Sequence, residues 1–130
     1  MTLPESDAEF LRDRGVPHEV TAEGGMTCVV FPEWPLPVGF TNPTVSLLVR
    51  LQPGYPDLPP DMWWFEPAVQ LADGRPIQAT EVVEPHLGRT WQRWSRHLSP
   101  EQWQSGVDGL ESYLALIRHE LARCVLEPAV

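Results

Sequence analysis

The proline-rich run between Leu51 and Phe65 constrains the fold more than any other part of this sequence. Four prolines separate an alternating apolar segment, Thr44 to Leu51, from an aromatic segment, Met62 to Phe65. Proline fixes φ and lacks an N–H donor, so a helix cannot cross this run. Alternation of apolar and polar residues is the pattern of a strand with one buried face. The run therefore predicts two strands joined by a rigid turn.

The segment before this run predicts a hairpin followed by a loop. Strands are expected from His18 to Glu23 and from Met26 to Phe31, because the glycine pair Gly24-Gly25 between them suits a tight turn. Residues 32–43 contain four further prolines and are expected to be a loop. Residues 67–98 show no sustained period and are expected to be irregular, and such a long irregular segment in a compact domain is usually functional.

Both ends of the chain predict helices. The first is expected from Leu3 to Arg14, with Ser6 or Asp7 as its N-cap. A second start is expected at Ser99–Gln102, where Ser precedes Pro and Gln follows at the third helical position, and Pro128 should close the helix that follows. An apolar stripe at helical spacing runs through Val107, Leu110, Leu114, Ile117, Leu121 and Cys124. The expected fold is α+β, with an N-terminal helix, a four-stranded antiparallel meander, an irregular segment and C-terminal helices.

Composition excludes several classes of function. The chain has 130 residues, which fits a single domain over residues 1–130, and a net charge of −9. A nucleic-acid interface needs a basic stripe, and an anionic membrane surface also attracts basic residues, so neither is expected as a partner. No signal peptide opens the chain and no apolar run approaches the length of a membrane span, which predicts a cytoplasmic protein.

The cysteines and histidines do not predict a metal site or any other cofactor. Cys28 and Cys124 are distant from each other, and both fall in apolar patterns where a thiol is buried and inert. A zinc hydrolase could be imagined from Glu84, His86 and His97, but their spacing matches no zinc motif. We therefore expect both cysteines to be structural and the chain to need no cofactor.

The chain resembles the E2, or ubiquitin-conjugating (UBC), superfamily, and in particular a bacterial E2-like family, prokaryotic E2 family E. The spacing of Tyr55, Pro56, Pro59 and Pro60 between two strands is similar to that superfamily's structural signature. Further matching segments, which extend over nearly the whole chain, are Leu3-Pro4-Glu5, Gly24-Gly25-Met26, Ala72-Asp73-Gly74-Arg75-Pro76 and residues 88–97. The resemblance implies a UBC-like fold, with an E1-like activating enzyme, a ubiquitin-like protein and a peptidase-like pathway protein as candidate partners.

The same resemblance implies where chemistry should lie, but the expected residues are missing. The family pattern places a catalytic cysteine between an upstream His-Pro-Asn triplet and a downstream tryptophan. Here Ser95 lies eight positions before Trp103 and nine after His86, and the triplet reads Pro85-His86-Leu87. A serine needs a base to become a nucleophile, so His86 and His97 are the candidate bases. Thr90 is the second candidate nucleophile.

Two functions follow from this pattern. In the first, the domain is a noncanonical conjugating enzyme that accepts a ubiquitin-like protein on Ser95 as an oxyester. Candidate binding residues for the modifier's tail or an oxyanion are Arg89, Arg93, Arg96, Trp91 and Trp94, although the tryptophans are also expected to fill the core. In the second, chemistry has been lost and the domain binds a ubiquitin-like protein or an E1-like partner, as inactive E2-like domains do.

Overall fold

The computed structural model describes residues 2–126, which form two helices and one antiparallel sheet of six strands. The helices are α1 (Glu5–Asp13) and α2 (Leu110–Leu126). The strands are β1 (Glu19–Glu23), β2 (Met26–Pro35), β3 (Thr44–Leu51), β4 (Trp63–Glu66), β5 (Val83–His86) and β6 (Arg89–Trp94). The α and β content agrees with the prediction, but the expected count of four strands is wrong, because β5 and β6 lie in the segment expected to be irregular.

The strand order across the sheet is β1-β2-β3-β4-β6-β5, so β6 pairs with β4 and β5 forms an edge. Two tight turns make the outer hairpins. Gly24 and Gly25 both have positive φ between β1 and β2, and Leu87 and Gly88 both have positive φ between β5 and β6. Paired residues of positive φ are typical of hairpin turns that match the strand twist. The glycine pair indicates the first turn in the sequence. The second turn is harder to predict, because Leu87 has a φ of 56° and leucine rarely adopts positive φ.

Strand β2 is longer than its sequence predicts, because it continues through Pro32 to Pro35. The pairing with β3 shifts register between Phe31 and Trp34, and such a bulge accommodates proline inside a sheet. The bulge allows both aromatic side chains to be buried in the same core. The expected loop is therefore confined to the residues between Pro35 and Thr44.

The helices cover one face of the sheet, and the main core lies between them. Apolar side chains of α2 at Leu110, Leu114, Ile117 and Leu121 are fully buried there, which confirms most of the stripe. Val107 is the exception, since it is 75% exposed in the turn before the helix. The other face of the sheet, called here the second face, has a smaller buried cluster of Cys28, Val30, Leu48, Trp64 and Trp91.

The helix ends differ from their predictions. Helix α1 begins after Pro4 without a side-chain cap, and Asp7 lies inside it rather than at its start. The motif at Ser99 forms a reciprocal capping box, but only over the short 3-10 turn Pro100–Gln102. Helix α2 begins separately at Leu110. The expected stop at Pro128 lies outside the described residues. Neither helix of the described part of the chain is long and apolar enough to span a membrane.

Candidate functional site

The proline turn after β3 is held by hydrogen bonds from three sides. Tyr55 Oη donates to Asp7 Oδ2 at 2.6 Å, and Trp103 Nε1 donates to the Pro56 carbonyl at 2.9 Å. Gln52 Nε2 donates to the Pro59 carbonyl at 2.7 Å. Burial, and then the neighbouring Asp7 carboxylate, raise the pKa of the Tyr55 hydroxyl above its ordinary value, so it stays a donor. The predicted rigid turn is thus present, and Pro60 within it is buried.

The β5–β6 hairpin carries most of the candidate catalytic and binding residues. Trp91 is buried on the second face, whereas Trp94 is buried in the main core under the helices. Successive strand residues point to opposite faces, so this single strand supplies both cores. Both tryptophans therefore fill the core, which is the structural alternative to their binding role.

Ser95 follows β6 directly and is half-buried. Its N–H donates to the Ala79 carbonyl at 3.0 Å, and its Oγ accepts a hydrogen bond from Arg93 Nε at 3.1 Å. Arg93 in turn donates from Nη1 to Glu84 Oε2 at 2.8 Å. The hydroxyl oxygen therefore faces a guanidinium, which could stabilise an alkoxide but cannot remove a proton.

The structure does not bring either candidate base to Ser95. The His97 ring nitrogen Nδ1 lies 2.6 Å from Asp61 Oδ1, on the exposed side of the proline turn. His86 is the register partner of Arg89 at the far end of β6 from Ser95. Six strand residues span roughly 20 Å, so His86 is beyond hydrogen-bonding reach of Ser95 along this strand. The serine and histidines share a segment of sequence but not a hydrogen bond.

His86 occupies a different environment, on the second face. Its ring packs edge-on against Trp64, with centroids 5.2 Å apart, and Nε2 lies 3.3 Å from Glu84 Oε1. Burial opposes the ionisation of Glu84. Hydrogen bonds from Trp64 Nε1, His86 and Arg93 outweigh that burial, so the pKa of Glu84 lies below its ordinary value. Glu84 is thus an ionised centre of this polar group.

The three candidate binding arginines are each paired with a glutamate. Arg89 forms an ion pair with Glu66 and lies 4.5 Å from the Trp91 ring centroid. Arg96 Nε donates to Glu120 at 3.0 Å, and its guanidinium lies 4.9 Å from the Trp94 ring centroid. Arg93 is held by Glu84, as described above. All three guanidiniums therefore already pair with carboxylates within the chain, and those of Arg89 and Arg96 also cover indole rings.

The second candidate nucleophile is exposed, whereas both thiols are buried. Thr90 is exposed on β6 opposite Pro85. Cys28 is fully buried in β2 and Cys124 is buried on α2, as expected for structural thiols. Within residues 2–126, no cluster of three or more histidine, cysteine, aspartate or glutamate side chains is arranged to hold a metal ion.

An open groove of about 830 Å³ lies beside the second face and was not anticipated from the sequence. Its lining comes from segments far apart in the chain, which is why no local motif indicates it. Polar lining residues are Arg50, Gln52, Asp61, Glu84 and His86, and the apolar part includes Met26, Met62, Trp64, Leu98 and several prolines. This is the size range of ligand-binding clefts.

Comparison with known protein families identifies the chain. A family model described as prokaryotic E2 family E matches residues 3–124. The chain belongs to prokaryotic E2 family E. Searches of curated proteins and of solved structures found no match. Family membership supports the E2-like resemblance drawn from the proline turn. The matched residues include the whole sheet and nearly all of α2.

Proposed function

We propose that this member of prokaryotic E2 family E is a UBC-like docking domain, formed by residues 1–130, which binds a ubiquitin-like protein or an E1-like enzyme without accepting an acyl group. The observation that carries this proposal is the separation of the candidate nucleophile from the candidate bases. Ser95 Oγ accepts from Arg93, whereas His97 contacts Asp61 and His86 contacts Glu84.

The chemistry of oxygen nucleophiles is the reason why that separation supports the proposal. A serine hydroxyl is a weak nucleophile unless an adjacent general base takes its proton. Both cysteines, whose thiols would need less activation, are buried. A fold that retains the proline turn and the two cores therefore supports recognition of a partner better than transfer of an acyl group.

The test uses the full chain with ATP and the E1-like enzyme and ubiquitin-like protein encoded in the same genome. Calorimetry should detect a complex with one of these proteins, and denaturing gels should show no ATP-dependent adduct. Ser95→Ala should bind as the parent chain does. An adduct that survives thiols, is cleaved by strong base and disappears in Ser95→Ala would contradict the docking proposal.

That contradicting result defines the second candidate function, an E2-like enzyme carrying the modifier as an oxyester on Ser95. The observation that favours it is the Arg93 guanidinium beside the Ser95 oxygen, since it could stabilise developing negative charge. In this reaction Ser95 Oγ attacks the thioester carbonyl of the E1-bound modifier, the C–O bond forms and the thiolate leaves. The hydroxyl proton passes to a base, for which His97 and His86 are the sequence candidates. Thr90→Ala is the comparison, because Thr90 is the second candidate nucleophile and is exposed on the hairpin before Ser95. An adduct that disappears in Thr90→Ala and not in Ser95→Ala would place the ester on Thr90.

A further inference from the structure

The imidazole of His86 lies between two carboxylates from different strands. Nε2 is 3.3 Å from Glu84 Oε1 on β5, and Nδ1 is 3.6 Å from Glu23 Oε1 at the end of β1. The ring is only 12% exposed and packs against Trp64, so it has little room to turn away. Both of its nitrogens therefore face carboxylate oxygens.

This arrangement suits a charged ring better than a neutral one. A neutral imidazole has one N–H and one lone pair, so one of its nitrogens would present a lone pair to a carboxylate. An imidazolium has two N–H groups, so it can donate to Glu84 at 3.3 Å and attract the Glu23 carboxylate at the longer ion-pair distance of 3.6 Å. Of the two carboxylates, Glu84 is held in its ionised form by its other hydrogen bonds.

Glu23 also joins the two outer hairpins of the sheet. Glu23 Oε2 accepts a hydrogen bond of 2.8 Å from the backbone N–H of Leu87, at the tip of the β5–β6 turn. Because β1 and β5 are the opposite edges of the sheet, this bond joins the two edges across the second face. Met26, Glu84 and His86 also line the groove described above, so the contact helps to set its width.

Other charged groups surround His86 and act on it in both directions. Arg50 on β3 lies 3.9 Å from Glu23, and Arg93 on β6 lies 2.8 Å from Glu84. These guanidiniums oppose a further positive charge on the ring, and Arg93 also helps to lower the pKa of Glu84. The outer groups are Arg89, which is the register partner of His86 and pairs with Glu66, and Asp61, which lines the groove and pairs with His97.

We propose that His86 is a pH-sensitive latch: as an imidazolium it holds the β5–β6 turn on β1, and loss of its proton loosens this contact and opens the groove beside Trp64. The latch is closed while both ring nitrogens of His86 carry protons. It loosens when the ring loses one of them. This inference does not depend on the proposed docking function.

Hydrogen exchange of the Leu87 amide tests the latch in the full chain. Exchange is measured by NMR from about pH 5 to pH 8, the range in which histidines change charge, and is expressed as a protection factor to remove intrinsic pH effects. The Leu48 amide, in the middle of β3, reports global unfolding. The protection factor of Leu87 should fall roughly tenfold relative to that of Leu48 as the pH rises. A tenfold change corresponds to the smallest free energy expected for a hydrogen bond to a charged group.

Variants test whether the effect comes from His86, and its ring nitrogen signals report its protonation. His86→Gln should remove the pH dependence of Leu87 protection. Glu23→Gln should also remove it while keeping an acceptor for the Leu87 N–H, and it serves if His86→Gln does not fold. His119→Gln is the matched control, because His119 is exposed on α2 and should leave the dependence unchanged. At the low-pH end, the two ring ¹⁵N signals of His86 should coincide, as in an imidazolium. A single neutral tautomer there, or Leu87 protection that does not vary with pH in the parent chain, would overturn the proposal.

Discussion

Tyr55 Oη donates a hydrogen bond of 2.6 Å to the carboxylate of Asp7, which lies inside α1. The other oxygen of this carboxylate accepts from the Leu110 N–H at 3.0 Å, at the first turn of α2. Asp7 is buried, so hydrogen bonds from the protein must replace those that water would make to its carboxylate. The carboxylate therefore ties the proline turn of the E2-like signature to both helices.

Tyr55→Phe should destabilise the domain by about 1–3 kcal/mol, because it removes a donor from a buried carboxylate. Tyr113→Phe is the matched comparison, since its hydroxyl donates at 2.8 Å to a neutral acceptor, the Met62 carbonyl. The Tyr113 variant should lose less, about 1 kcal/mol. Urea denaturation of both variants measures the difference. Equal losses would mean that the charge of Asp7 contributes nothing to the contact.

Glu84→Gln should lower the free energy of unfolding at neutral pH by about 1 kcal/mol, because three donors then face an uncharged group. The pKa of Glu84 is lower in the folded chain than in the unfolded chain, where a glutamate has a pKa of about 4.3. The contribution of Glu84 to stability is therefore present above about pH 4.3 and is lost as the pH falls further. The parent and the variant should therefore converge in stability on acidification. Urea midpoints at neutral and acidic pH measure this.

The exposed Glu101 provides the control for that experiment. Glu101→Gln should change stability by no more than a few tenths of a kcal/mol at either pH, as is usual for surface substitutions. A Glu84→Gln variant that behaved in the same way would show that the Trp64, His86 and Arg93 contacts do not depend on charge.

Gly39→Ala and Gly74→Ala should differ although both glycines have positive φ. Alanine in the left-handed region costs about 1–2 kcal/mol at either site. At Gly39 the added Cβ would also lie 2.9 Å from Val125 Cγ1, whereas nothing lies within 4 Å at Gly74. We expect Gly39→Ala to lose about 1–3 kcal/mol more, measured by thermal or urea unfolding. Similar losses would mean that α2 shifts to make room.

Alkylation of the thiols checks the burial of Cys28 and Cys124. Both should resist iodoacetamide in the native chain and react rapidly after denaturation, because a buried thiol in apolar surroundings is unreactive. Intact mass measured over time gives the number of modified thiols. Peptide mapping gives their positions, and free glutathione is the reference for an unprotected thiol. Rapid native labelling of either cysteine would reopen it as a candidate nucleophile.

The elements with strong local patterns could be predicted from the sequence. The alternation from Thr44 to Leu51 matches β3, and the glycine pair marks the β1–β2 turn. The β5–β6 hairpin could not be predicted in this way. Its strands contain Pro85 and the charged residues Glu84, Arg89 and Arg93, whose ion-pair partners lie on other strands. Its turn also uses Leu87 at positive φ, which gives no sequence signal.

The candidate site shows the limit of counting positions along a chain. Spacing placed Ser95 between two histidines, but β6 keeps His86 at its far end and Asp61 contacts His97 from the proline turn. The groove and the Glu23–His86–Glu84 contact depend on strands that are distant in sequence. Such features follow from the register and curl of the sheet, which local patterns do not specify.

The two edges of the sheet also bear on how the protein behaves at high concentration. An exposed edge strand offers unpaired backbone groups to which a strand of another molecule can add. Edge strand β5 contains Pro85, which has no N–H to offer, and edge strand β1 begins and ends with glutamates, Glu19 and Glu23. Prolines and charges at these positions discourage edge-to-edge pairing. Glu23, which joins the two edges of the sheet through Leu87, therefore also places a charge that discourages aggregation.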